Sequence, residues 1–328
     1  MFSIPKKYEN PLYEIKGVLK NPKNKSFFVA GHQNPDGDAV GGCLALYSLL
    51  CRLKKDVFLC SCGAVPPNIL FIPNSHKIKN IKKTNKKFDI AIILECSELS
   101  RLGDIINLKK QSKIDVNIDH HLCSERWANI NWADPESSSV SEMIFYLFKF
   151  MDMPLTKEEA VALYTGIVTD THNFTHTNTT PQSHIIASQL LECGIEPSKI
   201  QKYVYGTKAV SALHLFGIAL NRIQIDVSGK IAWTTITESD LKSTKASTHD
   251  TEDIINYVGM IPNVSVWLLF KPSDKKGFIK VSFRSVKEID VNKIASEFDG
   301  GGHRNAAGCT VKGTMEKVIG DVMKRCVA

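Results

Sequence analysis

Four short stretches of this chain concentrate histidine and carboxylate side chains in patterns suited to divalent-metal chemistry. The first runs His32-Gln33-Asn34-Pro35-Asp36-Gly37-Asp38. Two carboxylates and an imidazole, in a turn shaped by Pro35 and Gly37, can point oxygen and nitrogen ligands into one cavity. Such a mixed set suits Mn²⁺, and less selectively Fe²⁺, Co²⁺ or Zn²⁺. Read alone, the stretch is equally a polar turn in which Asp38 caps a following helix. The second stretch is Leu94 to Gly103, where Glu95 closes an apolar run. A carboxylate buried there is costly unless paired or metal-bound, and the bland alternative is an acid facing solvent. The third is Asn117-Ile118-Asp119-His120-His121. Its adjacent imidazoles offer one metal ligand and one acid–base or outer group, with Asp119 to fix a tautomer. The fourth, Gly166 to Phe174, sets Asp170 among small and hydroxyl residues that allow close approach of a ligand. Taken together, the four suit two metal ions about 3.5–4 Å apart, clamping the attacking and leaving oxygens of a phosphoryl transfer.

Positioning these groups requires rigid elements ending at one place. Ser26 to Gly31 reads as a buried strand leading into the first cluster, and Val40 to Leu53 as a helix after it. Val57 to Cys60, the almost wholly apolar Phe88 to Leu94, and Ile114 to Ile118 read as further strands. Strands alternating with helices predict an α/β fold with an N-terminal doubly wound, mainly parallel sheet. Ligands bind beyond the carboxyl ends of such strands, where three of the four clusters fall. From Val140 to Leu220 the pattern is mainly helical, with breaks near Met153-Pro154, Thr175 to Pro181 and Gly194. A smaller C-terminal α/β region follows. Its expected strands are Ile231 to Thr237, Val264 to Phe270 and Phe278 to Arg284, and its expected helix is Val291 to Glu297. The expected division is a catalytic domain over 1–205, a helical connector over 206–222 and a second domain over 223–328.

The bulk composition narrows the setting. The 328 residues are 43% apolar and 8% aromatic, as in an ordinary globular protein. Forty-one basic against 34 acidic residues give a net charge of +7, compatible with an anionic substrate without demanding nucleic acid. No run reaches the roughly 18 apolar residues of a membrane span, and the N-terminus lacks the apolar core of a signal peptide. Nine cysteines at irregular spacing suit reduced thiols, so the expected location is cytoplasmic, with no membrane association.

The motifs resemble those of the DHH phosphoesterase superfamily, in particular its DHH/DHHA1 group of short-oligoribonuclease and pAp-phosphatase enzymes. His32 to Asp38 is similar to the group's HxxPDxD pattern, Asp119 to His121 to its DHH triplet, and Gly166 to Thr171 to its GIxxDT signature. Gly300 to Gly308 resembles the GGGHxxAAG motif of the DHHA1 domain, and Val281 to Ser285 the substrate-binding strand before it. The resemblance covers nearly the whole chain. It implies a dinuclear site, usually Mn²⁺, with His32 and Asp36 on one ion and Asp38 and His120 on the other. Glu95 and Asp170 would complete or bridge the pair. It further implies His121 beside the phosphate or leaving group and Asp119 orienting a histidine. Arg284, His303 and the Gly300, Gly301 and Gly302 backbone would hold the substrate's phosphate and sugar. Short RNA oligonucleotides, linear dinucleotides and 3′-phosphoadenosine 5′-phosphate are the implied substrates.

Two positions depart from the pattern. Glu95 stands where the group carries Asp, and His172 where it carries Gly. The longer acid can shift bridging geometry or metal preference; the histidine can narrow the pocket, add a ligand or face solvent. Rival readings are an exopolyphosphatase or pyrophosphatase, a RecJ-like exonuclease, and a non-enzymatic nucleotide-binding regulator. The DHHA1-like motif weighs against the pyrophosphatase and the intact acid/His set against the regulator. A homodimer is compatible with the architecture without being marked by any residue pattern. The basic run Lys77 to Lys87 lacks interleaved aromatics and reads as a solvated segment. Cys60-Ser61-Cys62 has no partner knuckle for zinc. Phe145, Tyr146, Phe148 and Phe150 read as packing residues, and His176 and His184 as surface ones.

Overall fold

The apolar run Phe88–Leu94 forms a central strand of a six-stranded sheet, buried on both faces. The computed structural model describes residues 3–206, 208–251 and 253–327, with only the backbone described at His249, His303 and Val327. The chain divides at residue 207 into two compact units. In the first, α1 (Glu9–Lys20) precedes β1 (Ser26–Ala30), α2 (Gly37–Arg52), β2 (Asp56–Ser61), β3 (Lys79–Asn80) and β4 (Phe88–Leu94). Next come α3 (Leu108–Gln111), β5 (Ser112–Asp119) and β6 (Ile130–Ala133). Four helices complete the unit: α4 (Val140–Phe150), α5 (Lys157–Asp170), α6 (Pro181–Glu192) and α7 (Pro197–Val204).

The strands run in the order β3-β2-β1-β4-β5-β6, every pair parallel. Strand order therefore reverses between β1 and β4, which opens a crevice at their carboxyl ends. Side chains alternate as a pleated strand demands. Phe27, Val29, Ile90 and Ile92 pack with the helices, while Phe28, Ala30, Ala91 and Ile93 pack with Leu102, Ile105 and Leu108. The first unit thus has the expected doubly wound parallel architecture. Phe145, Tyr146 and Phe148 of α4 are core residues. Helix α1 and strands β3 and β6 had no counterpart in the sequence pattern.

Helices α2 and α5 touch backbone to backbone. A Cβ on Gly41 would lie 2.3 Å from the Ala162 carbonyl oxygen, so only glycine permits this approach. At the opposite end of β4, Asp89 ties three segments together. Its Oδ2 accepts from the Lys25 and Ser26 amides at 2.9 and 3.0 Å, and its Oδ1 faces Lys113 Nζ at 2.7 Å. Lys113 and these amides hold its carboxyl well below the usual carboxylate range. A depressed folded value contributes stability above the ordinary pKa that is lost as pH falls through the folded one. Asp89→Asn is therefore expected to lower stability by about 2 kcal/mol at neutral pH. In urea melts, the gap from the wild type should narrow progressively in acid.

The second unit contains α8 (Val210–Asn221), β7 (Gln224–Ile225), β8 (Ile231–Thr235), α9 (Glu238–Thr244), α10 (Ile254–Val258) and β9 (Val266–Pro272). It ends with β10 (Phe278–Ser285), α11 (Val291–Ser296), β11 (Gly301–His303), β12 (Ala306–Lys312) and α12 (Met315–Val327). Its sheet, ordered β11-β12-β10-β9-β8-β7, is antiparallel except for the β8–β9 pair. Helix α8, within the stretch expected as a connector, packs Leu215, Phe216 and Ala219 against Ile254, Ile255 and Leu269 of this unit. Its apolar face gives it a core to join rather than a span to bridge. Among the described residues, no helix is long and apolar enough to cross a membrane. All nine cysteines are free thiols.

Candidate metal centre

The turn after β1 brings His32 into the crevice, where it is buried. Asp36, rather than Asp38, caps α2: its Oδ1 accepts from the Asp38 and Ala39 amides at 3.1 and 3.0 Å. That corrects the capping alternative for Asp38. An N-cap must precede the first turn, whereas Asp38 lies inside it and is buried. Asp38 instead accepts from the Val140 and Ser141 amides at 2.6 and 2.8 Å, the free donors that open α4. The α4 N-terminus thereby fixes a carboxylate that belongs to another helix. The other Asp36 oxygen lies 3.6 Å from His32 Nε2.

Glu95 follows directly on β4 with φ +58°. A non-glycine residue in this left-handed region costs about 1–3 kcal/mol and persists only where the surroundings hold it. Here its amide donates to the Ile118 carbonyl at 3.0 Å, extending the β4–β5 ladder by one rung. The bend aims one carboxylate between two imidazoles. Its Oε2 lies 3.5 Å from His32 Nε2 and its Oε1 3.3 Å from His120 Nε2. His120 Nε2 also lies 3.7 Å from Asp170 Oδ2 and 4.0 Å from Asp38 Oδ2. Asn178 Nδ2 donates to Asp170 Oδ2 at 2.8 Å and holds it at the end of α5.

Asp119 and His121 form a separate pair beside this group. Asp119 is fully buried, and its Oδ1 faces His121 Nδ1 at 2.7 Å. On the other side of the ring, Arg101 Nη1 lies 3.1 Å from Nε2. A guanidinium has only donors, so Nε2 accepts and the ring proton sits on Nδ1, donated to Asp119. Both nitrogens of His121 are thus engaged.

The electrostatics describe a site with excess negative charge. Burial, then the charges of Glu95 and Asp170, push Asp38 well above the usual carboxylate range. Burial and the neighbouring Glu95 also raise Asp170, although His120 opposes the rise. Burial disfavours charge on His32, but Asp36 and Glu95 outweigh it and lift the imidazole to about 9. His120 is likewise raised against burial by Glu95, Asp170 and Asp38. Burial would raise Glu95, yet the two imidazoles hold it below the usual range.

The residues present fit divalent cations. Glu95 Oε2 and Asp119 Oδ2 are buried without a hydrogen-bond partner, a costly condition that an inner- or outer-sphere cation would relieve. Among the described residues, two sets bring possible ligand atoms within 4.8 Å of one another: His32, Asp36 and Glu95, and Glu95, His120 and His121. Because His121 has both nitrogens engaged, Asp38 and Asp170 complete the second set better. Glu95 is common to both.

The first unit therefore brings His32, Asp36, Asp38, Glu95, Asp119, His120, His121 and Asp170 to one end of its sheet. Arg284, Gly300, Gly301, Gly302 and His303 belong to the second unit. There, Arg284 on β10 and His303 on β11 both pair with Ala306 of β12, from opposite sides. Arg284 is half-buried, and burial lowers its pKa. Gly302 has φ +150°, and a Cβ on Gly300 would lie 2.3 Å from the Gly308 carbonyl oxygen. Sequence reasoning assigned no role to Arg101, Asn178 or the α4 amides. Arg101 lay within the Leu94–Gly103 stretch, but nothing in the spacing linked it to His121. The departing His172 stacks on His176 rather than joining either ligand set.

A parallel sheet whose switch point carries clustered imidazoles and carboxylates, joined to a mixed-sheet unit, defines a two-domain α/β protein of metal-binding type. Residues 26–167 match the model of the DHH family, N-terminal domain, and residues 230–328 that of the DHHA1 domain. A bifunctional oligoribonuclease and PAP phosphatase NrnA of Thermus thermophilus is 29% identical, over 94% of this chain and 90% of that protein. The uncharacterized MG371 homolog of Mycoplasma pneumoniae is 30% identical, over 90% of this chain and 89% of its own. The crystal structure of an exopolyphosphatase-related protein from Bacteroides fragilis superposes with a TM-score of 0.88 at 30% identity, covering 96% and 94% of the two chains. The chain belongs to the DHH/DHHA1 phosphoesterase family.

Proposed function

We propose that the protein hydrolyses short oligoribonucleotides, linear dinucleotides included, and the 3′-phosphate of 3′-phosphoadenosine 5′-phosphate. The observation that carries this reading is Glu95, one buried carboxylate 3.5 and 3.3 Å from two imidazoles, with one oxygen lacking a hydrogen bond. Family membership and the oligoribonuclease and PAP phosphatase name of a relative support the substrate class. His32 and Asp36 would hold one divalent cation, Asp38 and His120 a second, with Glu95 shared and Asp170 completing the set. Mn²⁺ is the proposed ion because the donors are mixed imidazole and carboxylate. When bound, the ions supply an activated water and neutralise phosphoryl charge.

The chain's own groups do the rest. Asp119 fixes the His121 ring, and Arg101 adds a permanent charge at its Nε2. A phosphoryl oxygen arriving there would meet the guanidinium that His121 orients, charge that counts most as the transition state develops. Arg284, the Gly300–Gly302 backbone and His303 are proposed to hold the substrate's phosphate and sugar. Free thiols suit a cytoplasmic setting, and a homodimer is the proposed assembly. Arg101→Met is expected to lower kcat about 10–100-fold, the usual scale for a residue orienting a catalytic partner. Calorimetric Mn²⁺ affinity should hardly change, and a parallel collapse of metal binding would show that Arg101 supports the ligands instead.

The direct test is Mn²⁺-dependent release of AMP from the dinucleotide pApA, with an Asp119→Ala/His120→Ala protein as control. Rapid release lost in the control is the expected result. Silence on pApA, on 3′-phosphoadenosine 5′-phosphate and on pyrophosphate, with metal still bound, would favour a nucleotide-binding protein.

A further inference from the structure

Beyond the end of α5 the backbone takes an unusual course. His172, Asn173 and Phe174 have φ of 45°, 58° and 62°, three successive left-handed residues without a glycine. Such backbone persists only where neighbours over-determine it, and it gathers at functional sites. Here Thr171 does much of the holding. Its carbonyl accepts from the Thr175 and His176 amides at 3.0 and 2.9 Å, and its Oγ1 accepts from the Phe174 amide at 3.1 Å.

The product of this turn is a stack of rings. His172 and His176 lie parallel within 12°, centroids 5.0 Å apart. Tyr205 meets His172 edge-on at 5.3 Å, anchored by its hydroxyl donating to the Val168 carbonyl at 3.0 Å. Two residues beyond His176, Asn178 Nδ2 donates at 2.8 Å to Asp170 Oδ2, the oxygen that lies 3.7 Å from His120 Nε2. His172 is partly buried and His176 exposed, so the stack is anchored inside and ends at solvent beside the carboxylate cluster. Neither ring belongs to the sets of possible metal ligands.

We propose that this stack is a nucleobase platform: a base of a short oligonucleotide lies against the His176 ring while its phosphodiester sits at the cluster. The inference rests on the short-RNA reading of the cluster and adds a specificity element to it. Flat rings stack on any base through its π face, so the platform demands a base without reading its identity. It favours nucleotides over inorganic phosphoesters. The Gly-to-His departure at 172 would therefore be a gain of base contact rather than a narrowed pocket.

The test compares pApA with the same dinucleotide carrying abasic riboses, in the Mn²⁺-loaded wild type, His172→Gly and His176→Ala proteins. Glycine takes a left-handed φ without strain, so His172→Gly removes the ring and should keep the fold. In the wild type, KM should be about tenfold lower for pApA than for the abasic substrate, within the range of one stacked base. Both variants should erase most of that ratio with little change in kcat. A 2-aminopurine dinucleotide, read before turnover, should be quenched by the wild type and far less by either variant. An unchanged KM ratio, or equal quenching in all three proteins, overturns the platform. Turnover of pApA without any quenching in the wild type also overturns it, yet leaves the proposed hydrolase standing.

Discussion

Replacing Glu95 by glutamine is expected to reduce turnover by about three orders of magnitude, the upper scale for losing one central electrostatic group. The reason is geometric. A single carboxylate faces both His32 and His120, and no other described acid reaches both. An amide keeps the shape but surrenders the charge that any cation between those imidazoles would need. Calorimetry should show Mn²⁺ binding weakened by more than about a hundredfold, beyond the 10–100-fold typical of outer partners. A second readout comes from the metal-free protein. His32, raised to about 9, contributes stability that is complete below its ordinary value near 6.5 and drains as pH rises through 9. Glu95→Gln should flatten that alkaline limb. Glu95→Asp isolates reach from charge: aspartate tolerates the left-handed backbone better, so the fold should be kept. Its shorter arm should loosen one of the two imidazole contacts and cost turnover. A gain in turnover would instead show that the glutamate compromises the site.

Gly166→Ala is expected to be nearly as damaging, from outside the ligand set. Its Cβ would lie 1.9 Å from Ser141 Oγ and 2.6 Å from Asp38 Oδ1. The Asp38 carboxylate is held by the Val140 and Ser141 amides of the α4 N-terminus, which leaves it little room to retreat. Overpacking of this kind costs about 3 kcal/mol. The displaced Asp38 carboxylate should also weaken metal binding. Adding Ser141→Gly removes the worst contact and leaves the one with Asp38. The double variant is therefore expected to regain most of the lost stability in denaturant melts without regaining Mn²⁺ affinity. Full recovery of both would mean that the position of Asp38 is not critical.

These two residues also mark where sequence reading reached and where it stopped. The parallel sheet was legible because β4 is an almost unbroken apolar run, β1 a shorter one, and β5 carries Ile114, Val116 and Ile118 at alternate positions, each ending in a polar cluster. Strand ends lie together in such a sheet, so the clusters after β1, β4 and β5 could be assigned to one region. Short, polar or amphipathic elements were not legible. Strand β6, only four residues long, exists because β5 offers it an edge, and α1 packs Leu12, Ile15 and Leu19 into the core.

Within the site, residue type and motif order determined which acids and imidazoles to consider and, through family resemblance, which chemistry they suit. Tertiary structure alone decided their partners. The exchange of capping roles between Asp36 and Asp38 depends on α4, whose free amides come from a point more than a hundred residues along the chain. The meeting of Arg101 with His121, and the His172–His176 stack created by three left-handed residues, carry no sequence period that could announce them. Local pattern specifies elements because backbone geometry repeats, every two residues in strands and every 3.6 in helices. Contacts between element ends obey no such repeat, so they are settled only when the helices and sheet close-pack.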